Sequence, residues 1–414
     1  MFTKKSCQKE AGMRILTAHN FYQQPGGEEQ IFATESALLE AYGHEVVRYT
    51  LHNDEIKGAN PLLLAKNTLW NSSVYQAVRS LIRQEKPQIA HFHNTFPMIS
   101  PAAYYAAKDE GIPVVQTLHN YRLLCPNALF FREGRVCEDC LGKPIPLPGV
   151  VHGCYRGSRS ASALVAATMG FHSLLGTWSQ AVDVFIAYSQ FALSKFIQGG
   201  LPAEKMAFKT NFLHPAPLPG SGKGGYGLFV GRLSVEKGLG VMLDAWRQLE
   251  GKVPLKILGD GPMAGLVKEA MQEMPEIEWL GRRPLEEVYE VMGEAAFLVF
   301  PSEWYETFGR VAIEAFAKGT PVVASNIGAI SELVDHERTG LLFRPSDPVD
   351  LAAKINWLLS NPQKLSQMRQ EARTEFDAKF TAADNCKRLI KIYQTAIDNT
   401  QSRGIDSVQS DYKI

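Results

Sequence analysis

Apolar runs of strand length, rich in Val, Ile, Leu and Phe, recur along the chain, and amphipathic stretches of helical period separate them. In the first half the runs are "RILTAHN", "EVVRYTL", "IAHFHN", "PVVQTLHN" and "VFIAYS"; in the second they are "GLFVGRL", "LKILGD", "IEWLG", "AFLVFPS", "PVVAS" and "GLLF". Strands spaced by helices predict βα units, and hence parallel sheets with helices on their faces. Pro and Gly concentrate in "LHPAPLPGSGKGGYG" between the two sets, which predicts a linker between two α/β domains. The expected division is an N-terminal domain over 13–212, a linker over 213–225, a C-terminal domain over 226–380, a helix over 381–399 and a flexible polar tail over 400–414.

Length agrees with two domains, since 414 residues exceed the size at which one hydrophobic core stops growing. With 43 basic and 43 acidic residues the net charge is zero, which removes the bulk electrostatic argument for a nucleic-acid partner. The start, "MFTKKSCQKEAGMRILTAHN", carries no apolar run ahead of the first strand and does not read as a secretory signal. The longest apolar stretch, "ASALVAATMGFHSLLGTW", is interrupted by His172, Gly and Ser and falls short of a spanning helix. The expected address is the cytoplasm, with at most peripheral membrane contact and with reduced cysteines. "GKGGYG" in the linker imitates a dinucleotide fingerprint, but it precedes a strand instead of following one and is read as flexible linker.

Candidate chemistry lies after the strands. Arg232 and Lys237 follow "GLFV" in a turn, where two cations at the carboxyl end of a parallel strand could neutralise a diphosphate. In "EWYETFGRVAIEAFAKGTPVV", Glu306 sits in a loop and Glu314 about a turn and a half inside the following helix. Gly309 and its neighbour Phe308 start that helix, where free N–H groups favour phosphate. Glu314 is surrounded by Val, Ala, Ile and Phe, so its carboxylate must be ion-paired, ligand-bound or protonated. In the first half, Gly26 and Gly27 of "PGGEEQ" allow close approach at a helix N-terminus, and His119 ends the fourth strand.

The E-x7-E spacing of Glu306 and Glu314, with "TFG" after the first, "AFAKGTPVVAS" after the second and "GRL…EKG" upstream, resembles the retaining glycosyltransferases of family four. That resemblance covers about Met13 to Asn399. It implies the GT-B fold, two Rossmann-like domains facing across a cleft, with the helix 381–399 crossing back to the first domain. It further implies that Arg232 and Lys237 hold the diphosphate of a nucleotide-sugar donor and that Gly26, Gly27, Glu306, Phe308 and Gly309 approach the donor. Glu314 would bond the ribose and His119 would face the sugar. UDP is favoured over GDP on frequency alone, and the acceptor is expected to be a glycan or a lipid-linked molecule. Catalysis is expected without a metal, because no D-x-D segment is placed as a clamp and "LGDGP" lacks the second acid. A nucleotide-sugar epimerase of similar architecture, or an inactive binding protein, is the alternative.

One stretch departs from that pattern. An insertion over 121–158 carries Cys137 and Cys140 as C-x2-C, flanked by Cys125 and Cys154. Four thiolates there could bind one structural zinc; the bland alternative is four free thiols in a loop. The insertion is net basic, which suits either a solvated surface or an anionic acceptor.

Overall fold

A computed structural model describes residues 12–24, 26–56, 58 and 60–410. Eight strands belong to the first half: β1 (Arg14–Phe21), β2 (Glu45–His52), β3 (Ile89–Asn94), β4 (Val114–Thr117), β5 (Phe131–Arg132), β6 (Arg135–Val136), β7 (Val184–Ala187) and β8 (Met206–Phe208). Six belong to the second: β9 (Gly227–Val230), β10 (Leu255–Leu258), β11 (Ile277–Gly281), β12 (Phe297–Phe300), β13 (Val322–Ser325) and β14 (Gly340–Phe343). They form two parallel six-stranded sheets, ordered β2-β1-β3-β4-β7-β8 and β11-β10-β9-β12-β13-β14, plus the antiparallel hairpin β5-β6.

The central strands are buried end to end, as sheets covered on both faces require, whereas edge strand β2 alternates toward exposure. Both sheets reverse their strand order once, between β1 and β3 in the first and between β9 and β12 in the second. Ligands of open α/β sheets bind at such reversals, outside the carboxyl ends of the strands. The loops after β9 and β12 carry Arg232, Lys237 and Glu306, and the loop after β1 carries Gly26 and Gly27.

Three expectations need correction. The linker is not loose: Gly220, Gly222 and Gly224 donate backbone N–H bonds to Lys318, Gly293 and Glu294, while Arg369 and Arg373 bind the Gly220 and Pro217 carbonyls. These cations sit on the helix Pro362–Lys379, far along the chain, so local composition could not announce them. The last helix runs from Ala382 to Ser410 instead of giving way to a tail at Thr400; a lone Gly404 costs a helix only about 1 kcal/mol and does not stop it. The final four residues, and Pro25 of the glycine loop, lie outside the described set. The insertion, for which the plain alternative was four free thiols in a loop, is not all loop: it contains β5-β6 and the short helix Leu147–Val151.

The helix Ala382–Ser410 lays Leu389, Tyr393 and Ala396 against Ile15, Ile89, Val115 and Ile186 of the first sheet. Burying such side chains contributes roughly 1.5–3 kcal/mol each. No helix among the described residues is long and apolar enough to cross a membrane.

Candidate functional site

Lys237 and Glu306 meet directly. Lys237 follows β9, Glu306 follows β12, and these strands are neighbours in register through Leu228 and Leu298. The ammonium nitrogen lies 2.5 Å from Glu306 Oε1, which also accepts bonds from Ser302 (3.0 Å) and the Trp304 indole (3.0 Å). Gly238, at φ 70°, is obligatory beside Lys237, since a Cβ there would stand 1.8 Å from the Pro301 carbonyl oxygen. Arg232 is exposed on the same rim and makes no ion pair among the described residues.

The helix Arg310–Ala317 starts at Gly309, whose φ of 103° excludes a side chain that would press on Phe300. Phe308 is buried beneath it against Tyr188 and Phe380. Glu314 is 7% exposed and accepts one bond, 3.0 Å from Arg310 Nε. Burial raises its carboxyl above the ordinary value, and Arg310 only partly offsets this. Of the three states open to a buried Glu314 carboxylate, ion-paired, ligand-bound or protonated, Arg310 supplies the first. Arg310 also holds a buried guanidinium nitrogen, Nη1, with no hydrogen-bond partner. Sequence reasoning passed it over, although a cation in the first turn of an apolar helix, four residues before a buried acid, was a usable signal.

Across from this rim stands His119, two residues past β4. Its Nε2 lies 3.0 Å from His93 Nδ1, and the two rings stack. Burial, then the neighbouring His93 and His19, depresses its pKa well below the ordinary value, so the ring is neutral near pH 7. Behind it, His93 Nε2 is 3.4 Å from Glu35, and Glu35 is held 2.6 Å from Lys209. Glu35, His91 and His93 are the described residues whose potential metal-ligand atoms all lie within 4.8 Å of one another. Both His91 nitrogens are already engaged, with Tyr393 and Thr117, and the Lys209 ammonium fills the position of a cation.

At the glycine loop, Glu29 accepts the Gly26 and Tyr22 N–H groups at 2.7 and 3.2 Å. A Cβ on Gly27 would meet nothing within 4 Å, so a ligand can approach the backbone there closely. Glu28, also missed by sequence reasoning, accepts a bond from Asn120 at 2.7 Å. Its other oxygen is buried without a partner, and burial pushes the carboxyl up to about 7. Beside His119 lies a largely apolar cavity of about 70 Å³ whose lining includes Phe96, Tyr104, Arg122 and Trp178. The two halves touch around the cleft: Thr307 donates to the His119 carbonyl (2.9 Å), Ser189 to the Thr307 carbonyl (3.0 Å), and Tyr121 to the Glu306 carbonyl (3.5 Å).

The four predicted zinc ligands stand apart from this cleft. Cys125, Cys137, Cys140 and Cys154 all line one small cavity in the insertion, and none is in a disulfide.

Glycosyltransferase Family 4 matches residues 25–212 and Glycosyl transferases group 1 matches residues 217–375. A glycosyltransferase of Methanocaldococcus jannaschii is 33% identical over 175 residues, 42% of this chain and 49% of that one. Glycogen synthase of Mycobacterium tuberculosis is 34% identical over 175 residues, 41% of this chain and 42% of that one. The chain thus spans about half the length, or less, of these curated relatives. Among solved structures, Anabaena HepE in complex with UDP and glucose superposes with a TM-score of 0.63 at 21% identity, covering 92% of this chain and 98% of that one. Sucrose-phosphate synthase from Thermosynechococcus elongatus gives 0.67 at 17% identity, covering 94% and 100%. At these identities the likeness is one of fold.

Proposed function

The chain belongs to the GT-B glycosyltransferases of family 4, and from that premise we propose that it is a retaining enzyme that moves a sugar from a nucleotide diphosphate donor, UDP before GDP, to a glycan or lipid-linked acceptor. The observation that carries this reading is the Lys237–Glu306 contact at the sheet reversal, with exposed Arg232 and the Gly309 helix end on the same rim.

Breaking a sugar–phosphate bond builds negative charge on the leaving diphosphate, which fixed positive partners must meet. Arg232, Lys237 and the N–H groups at Gly309 supply them without a metal, and the unpartnered Arg310 Nη1 adds a donor. A diphosphate competes with Glu306 for Lys237. As the ammonium turns to the phosphate, Glu306 is released to accept a sugar hydroxyl. Glu314 reads the ribose, and neutral His119 faces the sugar from the opposite wall. In front-face transfer the acceptor oxygen bonds to the anomeric carbon as the carbon–phosphate oxygen bond breaks, and the acceptor proton passes to the departing phosphate oxygen. No carboxylate nucleophile is needed.

The acceptor hydroxyl approaches from the cavity beside His119. Exposed Leu62, Ile145, Leu147 and Leu174 in the N-terminal half support an acceptor delivered from a membrane surface, with the protein peripheral to it.

The test is incubation with UDP- and GDP-sugars, with and without chelator, across glycan and lipid-linked acceptors. Release of nucleotide diphosphate with a product of unchanged anomeric configuration, chelator present, is the expected result. An altered sugar without transfer would make the protein an epimerase, inversion would remove the retaining assignment, and strict dependence on magnesium or manganese would remove the metal-free one.

A further inference from the structure

The cleft uses none of the cysteines, yet four of the five described ones converge. Cys125 lies in a turn closed by its own N–H to the Tyr121 carbonyl, and Cys137 leaves the β5-β6 hairpin with its N–H on the Phe130 carbonyl. Cys140 lies in the next turn. Cys154 follows the helix Leu147–Val151, its N–H bonded to the Gly149 carbonyl. Separations of 12, 3 and 14 positions along the chain therefore end at one cavity with about 10 Å³ of free space, room for one water-sized or ion-sized occupant.

Two further observations point to an occupant that is a soft cation. Arg132 lines the same cavity, is mostly buried and keeps its Nε without a hydrogen-bond partner. It pairs with Asp139 (3.1 Å) and stands 3.9 Å from Glu133, and its positive charge beside the sulfurs also suits the net double negative charge of a tetrathiolate holding a divalent metal. The backbone is also costly here: Ala128, Phe130, Glu133 and Arg156 all adopt positive φ, a region that side chains disfavour. A segment that concentrates such residues needs something that over-determines it.

We propose that Cys125, Cys137, Cys140 and Cys154 bind one structural zinc ion, and that this ion braces the wall of the cleft. Closed tetrahedral all-thiolate sites select zinc among the common divalent metals. The four sulfurs ring the cavity and are not drawn together as tightly as the Glu35 trio. Cys125 Sγ points 2.9 Å from Asn127 Oδ1 and Cys140 Sγ 3.9 Å from the Pro146 carbonyl. Zinc binding exchanges these weak contacts for metal–sulfur bonds and releases four protons. The Glu35–His91–His93 cluster is the weaker metal candidate, because Lys209 and the Tyr393 and Thr117 hydroxyls already satisfy it.

The bracing follows from what the insertion touches. Phe130 packs edge-on to Tyr305, Tyr121 bonds the Glu306 carbonyl, and Glu138 pairs with Lys195 (2.8 Å), whose ammonium lies over the Tyr305 ring. The loop 303–307 therefore rests on the zinc-held segment.

Elemental analysis of the full-length chain purified without added metal should find about one zinc per chain. Protein grown on cobalt should show the visible bands of a tetrahedral cobalt thiolate, a reading that needs no variant. Cys137→Ser should lose the metal, while Cys386→Ser, buried separately against Leu38 and Phe212, should keep it. On chelation, hydrogen exchange should rise in 121–158 and in 303–307 together. Four freely reactive thiols with no zinc, iron in its place, or zinc retained by both Cys137→Ser and Cys140→Ser would overturn the site. Unchanged exchange at 303–307 on metal loss would overturn the bracing.

Discussion

Lys209–Glu35 in the N-terminal half and Lys237–Glu306 at the cleft are the same chemical pair at nearly the same separation, 2.6 and 2.5 Å. Their side chains are 0% and 1% exposed in the first and 24% and 10% in the second. The sealed pair joins four elements: Glu35 on the helix Gly27–Ala41, His93 on β3, Lys209 after β8, and Asn385 of the last helix, which takes another Lys209 bond at 2.9 Å. No water or ligand has to enter it. The open pair has three donors on one carboxylate oxygen and faces the cleft, so the diphosphate of the proposed donor would take the lysine without leaving the glutamate bare. Burial, not bond length, separates a pair that holds the fold together from one that a ligand can open.

The sharpest way to break this comparison is Lys209→Met, which leaves Glu35 charged and sealed. Removing one partner of a buried pair costs about 3–5 kcal/mol, and denaturant unfolding should show that loss; a cost below about 1 kcal/mol would place the pair with ordinary surface bridges. Acid should act on the same region. Burial holds His19 down at about 3 and His91 well below 6.5, so both are neutral when folded and protonate on unfolding. Their stabilisation is full above 6.5 and is lost as pH falls below it. With two protons the slope is about 2.7 kcal/mol per pH unit, and His172 adds in the same direction. Glu35, depressed chiefly by Lys209 against the cost of burial, gives stability that is full above its ordinary value of 4.5 and is lost only as pH falls below it. A stability flat between pH 6.5 and 4.5 would refute this account.

Lys237→Ala sharpens the contrast from the other side. Glu306 keeps its Ser302 and Trp304 bonds, so unfolding stability should move little, while kcat/KM should fall by about 2–4 kcal/mol of transition-state stabilisation. Equal losses in stability and turnover would make this a second structural pair. The smallest effect divides the two carboxylates: Glu314→Ala should weaken free-nucleotide binding by roughly 1.5–3 kcal/mol, the usual worth of a bond to a charged group, whereas Glu306→Ala should spare the free nucleotide and reduce turnover. Calorimetry giving both variants the same nucleotide affinity would end the assignment of ribose to one and sugar to the other.

Much of this molecule was legible along the chain. Eleven runs of strand character predicted the strands that build both sheets except β8, and Gly309 marked the start of the helix of Glu314, because backbone period and glycine conformation are local properties. The site loops were legible too, since parallel strands put their carboxyl-end loops on one edge. β8 was not, as three residues are too few to show a period. Glu35 left a faint mark: it lies four positions after Ile31 and four before Leu39, on the buried face of its helix. Nothing near Lys209, 174 positions away, marked it as the partner. Lys237 and Glu306, 69 positions apart, were each predicted at a strand end, yet their direct contact comes only from β9 and β12 lying side by side. Periodicity carries information over a few turns or strand residues, and charge pairing between distant positions carries none until the chain is folded. Which carboxylate is sealed and which can be opened was therefore decided by tertiary packing, through the water that each site admits.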